Sequence, residues 1–265
     1  MSYFHTSLNG KHILITGASG GIGYVTAKIV ANMGASVTIT GRNEEVLSQL
    51  QVELLETTNK EKIFLKVADI AEEEDRKSLV QESERQMGFI SGLVNAAAIA
   101  GGETVENLKE DFLIRMMNIN YISTVMLTQI VYKRMQEEAS GVIVNVSSLS
   151  GLRGTYGNTA YSSSKFALIG FTQCMAVEAI KSNIRVNAVC PGFVDTSMGR
   201  DVIMRKAKQN GLSYEDQYKQ IETSIPSERI TQPDEVGNTI AFLLTDAARN
   251  IVGESIKISG GSVMR

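Results

Sequence analysis

Short apolar, β-branched segments alternate with amphipathic helical stretches over almost the whole 265-residue chain, and this alternation constrains the fold more than any other feature. Residues 12–16 (HILIT), 36–40, 63–67, 92–95, 142–146 and 184–189 read as strands, with a seventh at 255–258. Several are continuous apolar runs, as strands buried on both faces require. Between the first two, Ile22, Ala27, Ile29, Val30 and Met33 are spaced for one face of a helix that Gly34 ends. Asn43 can cap a helix carrying Val46, Leu47, Leu50, Leu54 and Leu55. Further helices are expected at 72–87, at 110–138 as one long element, and at 160–181. No Pro/Ser-rich linker or internal repeat interrupts the rhythm. Right-handed βαβ crossovers then give an α/β fold: one doubly wound parallel sheet of about seven strands, helices on both faces, in a single domain spanning residues 1–265. Ligands of such a sheet bind at the carboxyl ends of its strands.

Composition narrows the function classes. A formal charge of −3 supplies no basic stripe for nucleic acid. No apolar run reaches the roughly 18 residues of a membrane helix. Residues 1–10 lack a signal peptide's apolar stretch, so a cytoplasmic location is expected. Cys174 and Cys190 lack metal-ligand spacing and read as two small buried thiols; no metal is expected. A Ser-His-Asp hydrolase would need His5 or His12 as its base, and both lie at or before the first strand.

The loop Thr16-Gly17-Ala18-Ser19-Gly20-Gly21-Ile22-Gly23 joins the first strand to the first helix. Its glycines let backbone approach a pyrophosphate, whose charge meets a helix N-terminus. The spacing resembles the T-G-x-x-x-G-x-G loop of the classical short-chain dehydrogenase/reductase family, whose sheet is of the Rossmann type. Strand two ends Thr40-Gly41-Arg42, with Gly41 where NAD-dependent members usually carry Asp. An arginine there accommodates the 2′-phosphate of NADP, so NADP(H) is expected over NAD(H). The family's other NADP signal, a basic residue in the glycine loop, is absent, because Gly20 stands there.

Tyr161 and Lys165 lie four residues apart near the start of a helix and can share one site. A phenol titrates near 10, and a neighbouring cation favours its phenolate. The family resemblance adds two partners. Of the hydroxyls in Ser147-Ser148-Leu149-Ser150, the family's serine-to-tyrosine separation selects Ser148. Of Asn118 and Asn120 in the long helix, Asn120 fits the family's spacing better. The resemblance implies that Ser148 polarises a carbonyl and Tyr161 moves the proton. Lys165 lowers the tyrosine's pKa and binds the nicotinamide ribose, and Asn120 holds a water.

Other segments match in order, from about Leu8 to Gly261. Asp69 and Ile70 stand where the family touches adenine, though Asp69 could equally be a helix cap. Asn95-Ala96-Ala97-Ala98 resembles N-N-A-G with two departures, and Pro191, Gly192, Val194 and Thr196 resemble the segment that holds the carboxamide. Together with Gly17, Ser19, Gly20, Gly21, Ile22, Gly23, Arg42, Tyr161 and Lys165, these complete the expected cofactor contacts. Residues 197–232 form a helical substrate lid, with helical stretches at 198–208 and 214–222. The run Ser224-Ile225-Pro226-Ser227-Glu228-Arg229-Ile230 resembles ketoreductases acting on 3-oxoacyl groups. Reduction of a ketone or 3-oxoacyl substrate is therefore expected, a carrier-bound thioester being one candidate. The alternatives are oxidation of a sugar, polyol or sterol alcohol and, more distantly, a non-catalytic dinucleotide sensor. Arg200, Arg205, Lys206 and Lys208 make a basic lid helix that could meet an acidic carrier. Family members pair their two long helices, here bearing Met126, Ile130, Phe166, Ile169 and Met175, so a homodimer or homotetramer is implied.

Overall fold

The computed structural model describes residues 8–264. Seven strands form one sheet: β1 (His12–Thr16), β2 (Ser36–Gly41), β3 (Ile63–Val67), β4 (Gly92–Asn95), β5 (Gly141–Val146), β6 (Ile184–Pro191) and β7 (Ser255–Ile258). Their order is β3-β2-β1-β4-β5-β6-β7 and every pair is parallel. The strand order reverses between β1 and β4, so the crevice for a ligand opens above the carboxyl ends of those two strands.

Alternation within the strands splits the core into two layers. Ile13, Ile15, Val37, Ile39, Val94 and Val144 face α1 (Gly21–Asn32), α2 (Glu44–Leu55) and α9 (Pro233–Leu244). Leu14, Leu93, Ile143 and Val186 face α3 (Glu73–Met87), α5 (Ser123–Glu137) and α6 (Thr159–Ala179). Asn43 caps α2 as expected, its side chain accepting from Val46 N at 3.1 Å. The sequence reading missed α9, although Pro233 at its first turn, followed by Asp234 and Glu235, is a helix-start signal. Glu235 also accepts from Gln232 N at 2.8 Å and pairs with Arg229 through two 2.6 Å bonds.

The long helix expected at 110–138 is interrupted. It comprises α4 (Glu110–Met117), a wide π-helical turn at Asn118–Ile122, and α5. Apolar spacing alone does not reveal one wide turn, because the same faces resume after it. Such turns often mark functional sites, and this one carries Asn120.

Between β6 and α9 the chain forms α7 (Ser197–Asn210) and α8 (Tyr214–Ser224), packed on a small core of Ile203, Ile221, Ile225 and Ile230. The stem is closed by Asp195 N donating to Thr231 O at 2.9 Å and Thr231 N to Phe193 O at 3.1 Å. Cys190 is buried, but Cys174 is exposed on α6, contrary to the reading of two buried thiols. Of the apolar residues assigned to the long helices, Ile169 and Met175 are core, whereas Met126 and Phe166 are exposed. His5 lies outside the described residues. No described helix is long and apolar enough to cross a membrane, and the described residues contain no metal-binding cluster.

Candidate active site

A cleft of about 1210 Å³ runs along the carboxyl ends of the strands. Its floor begins with the glycine loop. Gly17 has φ +66°, and a Cβ there would sit 2.7 Å from the backbone of Ala96 and Ala97. Only glycine gives both the left-handed turn and this close approach. Thr16 fastens the same contact from beneath, its Oγ1 accepting from Ala96 N at 3.1 Å and Ala97 N at 3.2 Å. That role for Thr16 was missed, because its partners lie about 80 residues away. A Cβ on Gly21 would overlap the Thr196 side chain, so the loop and the start of α7 meet across the cleft.

At one end, Arg42 Nη1 lies 3.7 Å from Asp69 Oδ2, both groups solvent-accessible. Asp69 does not cap α3: Glu72 holds the cap position. Asp69 instead accepts from Ala71 N at 3.0 Å, while its own amide donates to Asp75 at 2.7 Å. Gly41 contributes space, since a Cβ there would stand 2.7 Å from Ser19 Oγ. These features fit a dinucleotide: a glycine-floored channel admits its backbone-hugging phosphates, and a cation with two small neighbours flanks the ribose end.

At the other end, Tyr161 and Lys165 near the start of α6 line the cleft together with Ser148, which follows β5. Burial raises the Tyr161 phenol above its ordinary value of 10, while the neighbouring Ser148 hydroxyl pulls the other way. Lys165 is almost wholly buried; its Nζ donates to Val146 O at 2.9 Å and lies 5.7 Å from the Tyr161 ring centroid. Burial pushes its ammonium down to about 8. Burial is the leading cause of both shifts, and the lysine cation stands beside the phenol ring. Beneath them, the Cys190 thiol is pushed up to about 11 by burial. Ser147 Oγ donates to the Lys165 carbonyl at 3.1 Å, which gives this third hydroxyl a structural place.

Most expected residues meet in this cleft: Gly17, Ser19, Gly20, Gly21, Ile22, Gly23, Arg42, Asp69, Ile70, Ala96, Ala97, Ser148, Tyr161, Lys165, Pro191, Gly192, Val194 and Thr196 all line it. Two do not. Asn95 is buried and turned into the sheet, donating at 2.9 Å to both Thr128 Oγ1 and Asn145 Oδ1; Asn145 donates onward to Thr172 at 2.8 Å. It braces β4 against β5 and α5 and does not reach the cleft. Asn120 is fully buried, and its amide is engaged by Ile99 N at 2.8 Å, Ile99 O at 3.0 Å and Ser164 Oγ at 3.1 Å. Its side-chain amide is committed to protein partners.

His12 is structural. Its ring meets Gly88 O and Thr38 Oγ1, both at 2.8 Å, at the start of β1 and far from the cleft.

Comparison with known proteins agrees with this geometry. The short chain dehydrogenase family model matches residues 11–207. A 3-oxoacyl-(acyl-carrier-protein) reductase of Thermotoga maritima is 35% identical over 97% of this chain and 99% of its own length. An acetoacetyl-CoA reductase of Acinetobacter sp. is 33% identical, covering 96% of this chain and 98% of its own. A crystal structure of an actinorhodin polyketide ketoreductase variant with NADPH superposes with a TM-score of 0.92 at 30% identity, over 95% of this chain and 97% of that one. The chain belongs to the short-chain dehydrogenase family and is an oxidoreductase acting on the carbonyl–alcohol pair.

Proposed function

We propose that the protein is an NADPH-dependent reductase of ketones, with 3-oxoacyl thioesters as its substrate class. The observation that carries this reading is that Ser148, Tyr161 and Lys165 line the same cleft as the glycine loop of residues 17–23. When bound, NADPH would supply hydride to the substrate carbonyl. Negative charge then grows on the carbonyl oxygen, and the Ser148 hydroxyl is placed to donate to it. Tyr161, held protonated by burial, delivers the proton as general acid. Lys165 contributes a buried cation beside the phenol. Gly17, Ser19, Gly21 and Thr196 would hold the dinucleotide's phosphates and carboxamide, with Arg42 and Ser19 around its 2′-phosphate.

Arg153, Arg205 and Lys206 line the outer cleft, and none makes an ion pair among the described residues. Arg200, by contrast, is engaged by Asp195 at 2.8 Å. Three free cations at the mouth favour a substrate with a distant negative charge, as a phosphate-bearing thioester has. The names of the relatives support the same class. Residues 197–232 act as the lid of one domain. Exposed Met126 and Phe166 on α5 and α6 support self-association through these helices.

The test is a panel of acetoacetyl-CoA, simple ketones and secondary alcohols with each nicotinamide cofactor, followed by absorbance. Fastest oxidation of NADPH by the thioester is expected. Turnover confined to alcohols with NAD would overturn the reading. Sedimentation of a monomer would remove the oligomer proposal.

A further inference from the structure

One fully buried hydroxyl on the catalytic face of α6 has no role in the mechanism above. Ser164 lies three residues after Tyr161 and one before Lys165, with no accessible surface. Its Oγ donates to the Tyr161 carbonyl at 2.7 Å and accepts from Asn120 Nδ2 at 3.1 Å. The first bond is the ordinary back-bond of a serine in a helix and would satisfy the hydroxyl by itself. The second reaches 44 residues along the chain. Asn120 in turn holds both backbone polar groups of Ile99, within the cleft-lining segment after β4. Three segments are thus linked through Asn120 and this hydroxyl: the loop after β4, the π-helical turn and the first turn of α6.

That first turn needs an anchor. Asn158, at the cap position of α6, makes no side-chain bond to the helix's free amides; its Nδ2 is spent on Ser150 and Thr155, both at 3.2 Å. An uncapped end frays, and here the fraying turn would be the one that carries the proton donor. We propose that Ser164 is a positioning residue: it ties the Tyr161 backbone to Asn120 and Ile99, so that the phenol meets Ser148 in a single geometry. Asn120 acts through the same tie. Misplacing a reacting group by about 1 Å can slow turnover on the order of 10²-fold.

This inference rests on Tyr161 as the proton donor and is independent of which carbonyl is reduced. It is measured on whichever substrate and direction the wild-type enzyme turns over fastest. Ser164→Ala should lower kcat about tenfold or more, with KM and cofactor affinity within about threefold of wild type. Ser164→Cys fills the site with a slightly larger thiol that bonds weakly, and should be nearly as slow; it decides the matter if the alanine variant does not fold. In a double-mutant cycle, adding Ser164→Ala to Asn120→Ala should cost little beyond the asparagine change alone. A kcat within twofold of wild type in the alanine variant would overturn the proposal. So would independent, multiplying losses in the cycle, or a parallel fall of kcat, cofactor affinity and Tm that marks general loosening. Full turnover by Tyr161→Phe would instead remove the catalytic assignment itself, a separate failure.

Discussion

Lys165 Nζ lies 5.7 Å from the centre of the Tyr161 ring and spends a hydrogen bond on Val146 O at 2.9 Å, so the buried lysine and the half-buried tyrosine share one site without touching through their polar atoms. In that arrangement the phenol stays protonated at neutral pH, as a proton donor in carbonyl reduction must.

Tyr161→Phe should lower kcat by about 10²–10⁴-fold, the usual contribution of a positioned acid. NADPH affinity, read by fluorescence titration, should change less than about threefold, because the ring remains. Retained turnover with lost cofactor binding would reverse the assignment.

Because burial pushes Lys165 down to about 8, it loses its charge within the working range of a pH profile. The reductive rate should fall as pH rises through about 8, and Lys165→Met should be slow at every pH. The stability sign is opposite. The unfolded chain holds this proton up to about 10.5, so between 8 and 10.5 the unfolded state binds more protons and folding gains stability as pH rises. A rate profile flat from pH 6 to 10 would refute the role of the charge.

Arg42→Ala should weaken NADPH by roughly tenfold or more, as loss of a charge-assisted hydrogen bond does, and should leave NADH nearly unchanged. Gly41→Asp should act in the same direction for a second reason: a side chain there collides with Ser19 Oγ and brings a carboxylate to the 2′-phosphate. Equal losses for the two cofactors would show that Arg42 does not discriminate between them.

His12 predicts an acid limb in stability. Burial holds its imidazole below the ordinary 6.5. As pH falls beneath 6.5 the unfolded chain takes up a proton that the folded chain resists, so stability is lost in that direction. Tm measured from pH 7.5 to 4.5 should drop less steeply in His12→Gln than in wild type. Parallel curves would place the acid sensitivity elsewhere.

Asn95→Ala should lower stability by about 1–3 kcal/mol by stranding Asn145, with little change in KM for the cofactor. A large cofactor effect at unchanged Tm would return Asn95 to the binding surface.

The sequence by itself determined what depends on local spacing. The apolar runs set the strands and their order along the chain, and Thr16 to Gly23 placed a phosphate loop between the first strand and first helix. The four-residue interval of Tyr161 and Lys165 put them on one helix face. These are periodicities of neighbouring residues, and a helix or strand converts them directly into geometry. The tertiary structure decided where each polar side chain points once distant segments meet. It turned Asn95 inward to Thr128 and Asn145, and carried Asn120 across to Ile99 and Ser164, 21 and 44 residues away. It also broke one expected helix at the π-turn and buried Lys165 against Val146. A buried polar group takes whichever partner packing brings within about 3 Å, and that partner is chosen by the whole fold rather than by its neighbours in the chain.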